Sequence, residues 1–149
     1  MTRGRGAIAA TLIVFAVTFG ALEVLAYTQK SGTIDEPVHL TTGYAALAAC
    51  VYRVETTHPP FMRMWAALPL LFMRDIHLDT SVIDRTEPAA WVSSAFHFSS
   101  KFLYVDNDAD RLLNAARFMI VLCGMLLGAL VFFWAYEWLG FTPALWALV

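Results

Sequence analysis

Hydrophobic residues form two long runs, over 7–27 and 112–139, which are separated by a long segment of mixed polarity. About 20 predominantly apolar residues suffice for a helix to cross a hydrocarbon core of ~30 Å. The pattern therefore predicts two transmembrane helices that occupy these runs. A further apolar run over 141–149 predicts the start of a third transmembrane helix, in a chain that we expect to be truncated.

Basic residues ahead of the first run predict its orientation. Arg3 and Arg5 lie within residues 1–6, which contain no acid. Because basic flanks remain in the cytoplasm, we expect residues 1–6 to be cytoplasmic and 28–111 to be extracytoplasmic. A basic start before an apolar core is also typical of a cleaved signal peptide, and this alternative stays open. Glu23, near the outer end of the run, either faces other helices or extends to the membrane surface.

Composition agrees with an integral membrane protein. Hydrophobic residues make up 59% of the chain and charged residues 15%, against about 25% charged in soluble domains. The net charge of -2 provides no basic stripe for phosphates, which argues against a nucleic-acid partner. Cys50 lies in the mixed segment and Cys123 in the second run, so we expect neither a disulfide nor a cysteine metal motif.

Two helices are predicted within the mixed segment. The first covers about 36–51, because Pro37 and the two acids before it suit a first helical turn. The second covers about 60–73, begins at the Pro-Pro pair and is interrupted by Pro69. Its apolar run is too short to span a bilayer and contains arginine, so we expect it to lie in the membrane interface.

The rest of the mixed segment divides into three parts. Residues 74–88 are polar and are predicted to form a loop. Residues 89–104 are rich in aromatic side chains, which are enriched at the level of lipid headgroups. Residues 106–110 are acidic and are predicted to cap the helix of the second run, because acids are favoured at a helix start.

Asp35, Glu36 and His39 form the first candidate group for chemistry. On a helix that starts near Asp35, spacings of four and three residues put His39 on the same face as both acids, and Gly43 continues that face. A carboxylate beside an imidazole, with a glycine that leaves room, suits a general base acting on a hydroxyl. The alternative is that the acids only cap the helix and that His39 packs at the surface.

A second candidate group consists of cations. Arg53, His58 and Arg63 flank a Pro-Pro turn and could gather near one point to bind the phosphate of a lipid. The alternative is that the arginines contact lipid headgroups. Arg117 lies just inside the second run and either extends to the outer surface or turns inward to a carboxylate or a phosphate. The four histidines form no closely spaced pair, so the sequence predicts no metal site.

These residues lie in two stretches that resemble one enzyme family. The first is DEPVHLTTGYAALAACVYRVETTHPPFMRMWAALPLL, and the second begins FLYVDNDADRLLNAAR. They are similar to the first extracytoplasmic loop and second transmembrane helix of the protein-mannosyltransferase-like and aminoarabinose-transferase-like membrane glycosyltransferases. The resemblance implies an all-α integral membrane protein, the N-terminal part of a polytopic GT-C glycosyltransferase in the bacterial inner membrane.

The resemblance also implies a reaction and the residues that carry it. Sugar would pass from a polyprenyl-phosphate donor to an acceptor hydroxyl, with inversion. No cofactor is expected, and metal dependence stays open. Asp35 would take the proton from the hydroxyl with Glu36 beside it. The helical spacing given above adds His39 as a supporting residue. His58 stands before Pro-Pro, where many relatives have a lysine associated with the donor phosphate. Arg63 falls where close relatives often have a lysine.

Two departures from the family pattern bear on this expectation. Histidine at position 58 is only partly cationic near neutral pH, which weakens its phosphate role. Glu137 stands where relatives place arginines, which weakens the predicted orientation. Two spans do not enclose a lipid donor, so we expect this chain alone to be inactive. The competing hypothesis is a non-catalytic two-span membrane protein that acts as an interaction partner or is a remnant.

Overall fold

A computed structural model describes residues 2–84 and 91–149, and within these ranges every regular element is a helix. The predicted all-helical class is therefore confirmed. The helices, in chain order, are α1 (Thr2–Tyr27), α2 (Glu36–Ala49), α3 (Pro60–Ala67), a 3-10 helix (Leu68–Phe72), α4 (Ser81–Asp84), α5 (Trp91–Tyr104), α6 (Ala109–Leu139) and α7 (Phe141–Trp146).

Two of these helices are long and apolar enough to cross a membrane. They are Gly4–Tyr27, within α1, and Ala109–Leu139, which is α6. In a soluble protein such helices would be mostly buried, but only 6% and 11% of their most apolar windows are buried here. Large apolar side chains such as Val14 and Leu130 are instead exposed. A soluble environment disfavours so much continuous apolar surface, which indicates a membrane protein.

The chain forms two compact units. The two-helix unit contains α1 as far as Gln29 together with Ile120–Val149, and the loop unit contains Lys30–Met119. Within the two-helix unit, the stacked rings of Phe15 and Phe19 lie against glycines of α6. A Cβ on Gly128 would lie 2.3 Å from Phe15 Cζ, and a Cβ on Gly124 would lie 2.8 Å from Phe19 Cζ. The small-xxx-small spacing of these glycines therefore produces a close helix contact.

Proline and glycine fix where several helices end. The segment predicted as one helix over 60–73 is divided into α3 and the 3-10 helix, which contains Pro69, because proline lacks the N–H of an α-helical hydrogen bond. Gly140 separates α6 from α7 with a φ of 89°, which favours glycine. Gly140 alone forms this break, since α7 begins at the next residue, Phe141.

The core of the loop unit is built by α2, α3, α5 and the first turns of α6. Phe98 and Phe102 of α5 are each 2% exposed and lie one turn apart on its buried face. The sequence places this aromatic segment, over 89–104, at the level of the headgroups, whereas these two rings pack in the protein interior. Residues 85–90, which the predictions assign partly to a loop, lie outside the described residues.

Polar side chains hold the segment between the 3-10 helix and α6. Asn107 donates to the carbonyls of His77 and Phe102 over 2.9 and 2.7 Å, and its own Oδ1 accepts the N–H of His77 over 2.8 Å. Asp108 caps α6 by accepting the N–H of Arg111 over 3.1 Å. The acidic cap expected at the start of this helix is therefore present.

Candidate functional site

Glu36, the first residue of α2, is clamped by Arg117 of α6. The Arg117 Nε donates to Glu36 Oε1 over 2.6 Å, and Nη2 donates to Oε2 over 2.7 Å. Arg117 also donates to the carbonyls of Lys30 and Ser31 over 2.8 and 3.0 Å. Of the two alternatives for this arginine, the structure shows the inward one, directed to a carboxylate. Arg117, which the sequence assigns to donor phosphate, instead pairs with Glu36.

The same contacts determine the charge of Glu36. Burial raises the pKa of Glu36, but the hydrogen bonds from Arg117 and Thr33 and the charge of Arg117 outweigh burial, so the pKa is lowered. The Thr33 N–H contributes a bond of 3.1 Å to Oε2. A carboxylate that is held ionised by a bidentate contact with a guanidinium is a weak proton acceptor. Glu36 therefore suits a positioning role better than the catalytic role that the sequence suggests.

The clamp predicts a pH-dependent stability. Because the pKa of folded Glu36 is lowered, its contribution is present above its ordinary pKa of 4.5 and is lost as the pH falls through the folded value. Glu36→Gln removes this contribution and should destabilise the protein at pH 7 by about 1 kcal/mol, since the pair is partly exposed. The difference in stability between Glu36→Gln and wild type should become smaller at pH 3, as measured by thermal unfolding in detergent.

Asp75→Asn is the matched control for that measurement. It removes an exposed carboxylate at a position whose φ of 64° suits asparagine. Its difference from wild type should stay small at both pH values. A Glu36→Gln deficit that is equal at pH 7 and pH 3 would contradict the assigned role of the Glu36 carboxylate.

Asp35 occupies the residue before α2 and is exposed. Its side chain makes no capping hydrogen bond, although its carbonyl accepts the N–H of His39 over 3.0 Å. The alternative in which the Asp35 carboxylate serves as the helix cap is therefore not what the structure shows. Asp35 presents its carboxylate at the surface, next to the residue that Arg117 holds in place.

Glu55, which the sequence reasoning did not single out, lies at the centre of a buried network between α2 and α3. The residue is 3% exposed. Its Oε1 accepts the N–H of Thr57 over 2.7 Å, the N–H of His58 over 3.2 Å, and the Thr57 hydroxyl. Its Oε2 accepts Nη1 of Arg63. Glu55 is the only acid between Glu36 and Asp75 in the sequence. This isolation among apolar and small residues was the feature that could have marked it as a candidate.

The buried network changes the interpretation of Arg63. This residue is predicted to bind donor phosphate, but it is 6% exposed and its charge is neutralised by Glu55. Burial raises the pKa of Glu55, but hydrogen bonds from Thr57 and His58 and the charge of Arg63 outweigh it, and the pKa is lowered. Glu55 is thus held ionised inside the loop unit, where its pairing with Arg63 fixes the start of α3.

Gly43 marks the closest approach of α2 to α3. A Cβ at this position would lie 2.1 Å from the Arg63 carbonyl oxygen and 2.5 Å from its carbonyl carbon. The sequence suggests that Gly43 leaves room for an acceptor hydroxyl. The structure shows that the backbone of α3 fills this room, so the glycine serves helix packing.

The two histidines of the candidate groups meet each other. The rings of His39 and His58 lie edge to face with their centroids 5.0 Å apart. His58 is exposed, and its Nδ1 lies 3.0 Å from Thr57 Oγ1 and 3.4 Å from Glu55 Oε1. Arg53 is exposed in the same segment between α2 and α3. His39, expected to support Asp35 and Glu36, therefore also belongs to a cluster with His58.

Sequence spacing predicts no metal site, yet the fold assembles a set of potential ligands. One ligand atom from each of His39, Glu55 and His58 lies within 4.8 Å of the others. Sequence spacing could not indicate this set, because His39 belongs to α2 while Glu55 and His58 follow the helix, and only the packing of the intervening chain brings the three together.

The fold and the site together define a class of protein: over residues 2–84 and 91–149 it is all-helical, with two membrane-length helices and a helical loop unit that carries a cluster of one acid and two histidines. Comparisons with protein-family models, with curated proteins and with solved structures found no match for this chain.

Proposed function

We propose that the chain forms the first two spans and the first extracytoplasmic loop of a polytopic GT-C glycosyltransferase, similar to the protein-mannosyltransferase-like and aminoarabinose-transferase-like enzymes. Its substrates are a polyprenyl-phosphate sugar and an acceptor hydroxyl. The observation that carries the proposal is the exposed Asp35 carboxylate, which makes no capping bond and follows directly on a segment held by Arg117.

The proposed chemistry assigns the proton to Asp35. Its carboxylate accepts the proton of the acceptor hydroxyl while the hydroxyl oxygen attacks the anomeric carbon of the donor. The bond from that carbon to the phosphate oxygen breaks on the opposite face, its electron pair remains on the polyprenyl phosphate, and the configuration inverts. The phosphate is a weak base, so it needs cationic stabilisation more than a general acid.

Exposed basic side chains of the loop unit suit that leaving group. His58 and Arg53 lie at the surface of the segment between α2 and α3. Arg63 and Arg117 act in this proposal as positioning residues, because each is engaged by a glutamate. The proposal further assigns the protein to the bacterial inner membrane, with the N-terminus in the cytoplasm, on the strength of Arg3 and Arg5.

Replacing Asp35 with asparagine tests the proposal. In inner-membrane vesicles that contain the full protein, we expect Asp35→Asn to lower sugar transfer from labelled polyprenyl-phosphate mannose or aminoarabinose by at least 100-fold, because the general base is lost. Membrane insertion, followed by resistance to carbonate extraction, should remain unchanged. Asp75→Asn, another exposed aspartate of the loop unit, is the control and should retain transfer. Unchanged transfer by Asp35→Asn would remove Asp35 from the mechanism.

A second candidate function is that of a non-catalytic two-span membrane protein that acts as an interaction partner. The observation that favours it is that ion pairs within the loop unit already engage three of the candidate site residues, Glu36, Arg63 and Arg117. It is distinguished from the first by the same assay. A full protein that inserts normally but transfers neither sugar above background would favour this second candidate.

A further inference from the structure

We propose that His39, Glu55 and His58 form a binding site for one divalent transition-metal ion of the zinc class. The three residues come from α2 and from the segment that joins α2 to α3. Within the described part of the chain they are the group whose ligand atoms all lie within 4.8 Å of one another. The site does not include Asp35, but it shares His58 with the basic side chains that the proposed function places near the leaving phosphate, and its test measures metal binding rather than sugar transfer.

The distances suit a tetrahedral ion after a small adjustment. Ligands at about 2.0–2.1 Å from a tetrahedral zinc lie roughly 3.4 Å from each other. Glu55 Oε1 and His58 Nδ1 are already 3.4 Å apart. The His39 atom must approach by at most about 1.4 Å relative to the 4.8 Å limit. The His58 side chain is 63% exposed, so it can rotate to meet this requirement.

The surroundings of the cluster already orient two of the ligands. Arg63 and the N–H groups of Thr57 and His58 fix the Glu55 carboxylate. The Thr57 hydroxyl donates to Glu55 Oε1 and lies 3.0 Å from His58 Nδ1, a contact that Nδ1 must give up if it is the atom that binds the ion. Hydrogen-bonded second neighbours of this kind hold metal ligands in place and raise affinity. Because Arg63 shares the carboxylate, we expect weaker binding than at a closed four-ligand zinc site.

The donor set selects the class of ion. Two imidazole nitrogens and one carboxylate oxygen suit zinc and its neighbours in the first transition row, whereas magnesium and calcium prefer oxygen ligands alone. Three protein ligands leave a fourth position for water or for an oxygen of a bound molecule.

Direct titration of the purified full chain with Zn²⁺ tests the proposal. The protein is prepared in detergent without a polyhistidine tag, and binding is measured by competition with a chromophoric chelator. We expect one zinc ion per chain. His58→Gln and His39→Gln should each weaken binding at least tenfold, and millimolar Mg²⁺ should not displace the ion. His58→Gln alters an exposed side chain, so its folding can be verified by helix content.

The chain supplies matched controls of the same residue type. His77→Gln and His97→Gln replace exposed histidines outside the cluster, and Cys50→Ser removes an exposed thiol. All three should bind zinc as the wild type does. No zinc binding by folded wild type overturns the proposal, as does loss of binding in a control variant, unchanged binding in both cluster variants, or displacement of zinc by Mg²⁺.

Discussion

Glu55→Gln is expected to lower the free energy of unfolding by about 3–5 kcal/mol, because it leaves the Arg63 guanidinium buried without a counter-charge. The two side chains are only 4% and 5% exposed, so water cannot replace the lost partner. The carboxamide of glutamine also accepts hydrogen bonds from Thr57 and His58 less strongly than the Glu55 carboxylate does. Thermal and denaturant unfolding in detergent, followed by circular dichroism, measures the loss.

The double variant Glu55→Gln/Arg63→Met is the control for that result. It removes both charges, and replacing a buried ion pair by apolar groups is often neutral or stabilising. It also removes the Arg63 Nε, which is buried without a hydrogen-bond partner. We therefore expect the double variant to recover most of the stability. If the free energy of unfolding of Glu55→Gln lay within about 1 kcal/mol of the wild-type value, the Glu55–Arg63 pair would not be the buried network described here.

Gly43→Ala is expected to destabilise the loop unit by about 1–3 kcal/mol, by forcing α2 and α3 apart. The added Cβ would meet the backbone of Arg63 at 2.1 and 2.5 Å, and backbone atoms cannot rotate away as a flexible side chain can. Alanine gains up to about 1 kcal/mol over glycine in helix propensity, but this gain is smaller than the overlap costs. Unfolding temperatures in detergent report the balance.

Gly6→Ala provides the matched comparison in α1. A Cβ there would meet no atom within 4 Å, so only the propensity term applies, and we expect equal or slightly higher stability. If Gly43→Ala were as stable as Gly6→Ala, the close approach of α2 and α3 would be contradicted.

The local features of the fold were open to prediction from the sequence. The two apolar runs are readable because hydrocarbon thickness sets the length of a spanning helix. Pro69 marks a break in its helix because proline lacks an N–H, and the acidic stretch that contains Asp108 indicates a helix start. Each of these signals acts within a few residues of itself.

The site was less predictable because its contacts are long-range. Glu36 and Arg117 are 81 residues apart in sequence, and no pattern specifies that they meet. Spacing alone likewise could not show that His39 meets His58, or that Arg63 is turned inward onto Glu55. Of the two candidate catalytic acids, Asp35 is the one with an exposed carboxylate, and its role stays a prediction until the assay is done.

The clamp on the segment before α2 has a consequence for biosynthesis. Arg117 binds the carbonyls of Lys30 and Ser31 and the carboxylate of Glu36, all of which leave the ribosome long before it does. The connection between α1 and α2 therefore lacks its hydrogen bonds to Arg117 while about the next eighty residues are translated. A chain that ends before Arg117 would expose this connection to proteases, whereas one released from the ribosome after α6 is complete would protect it.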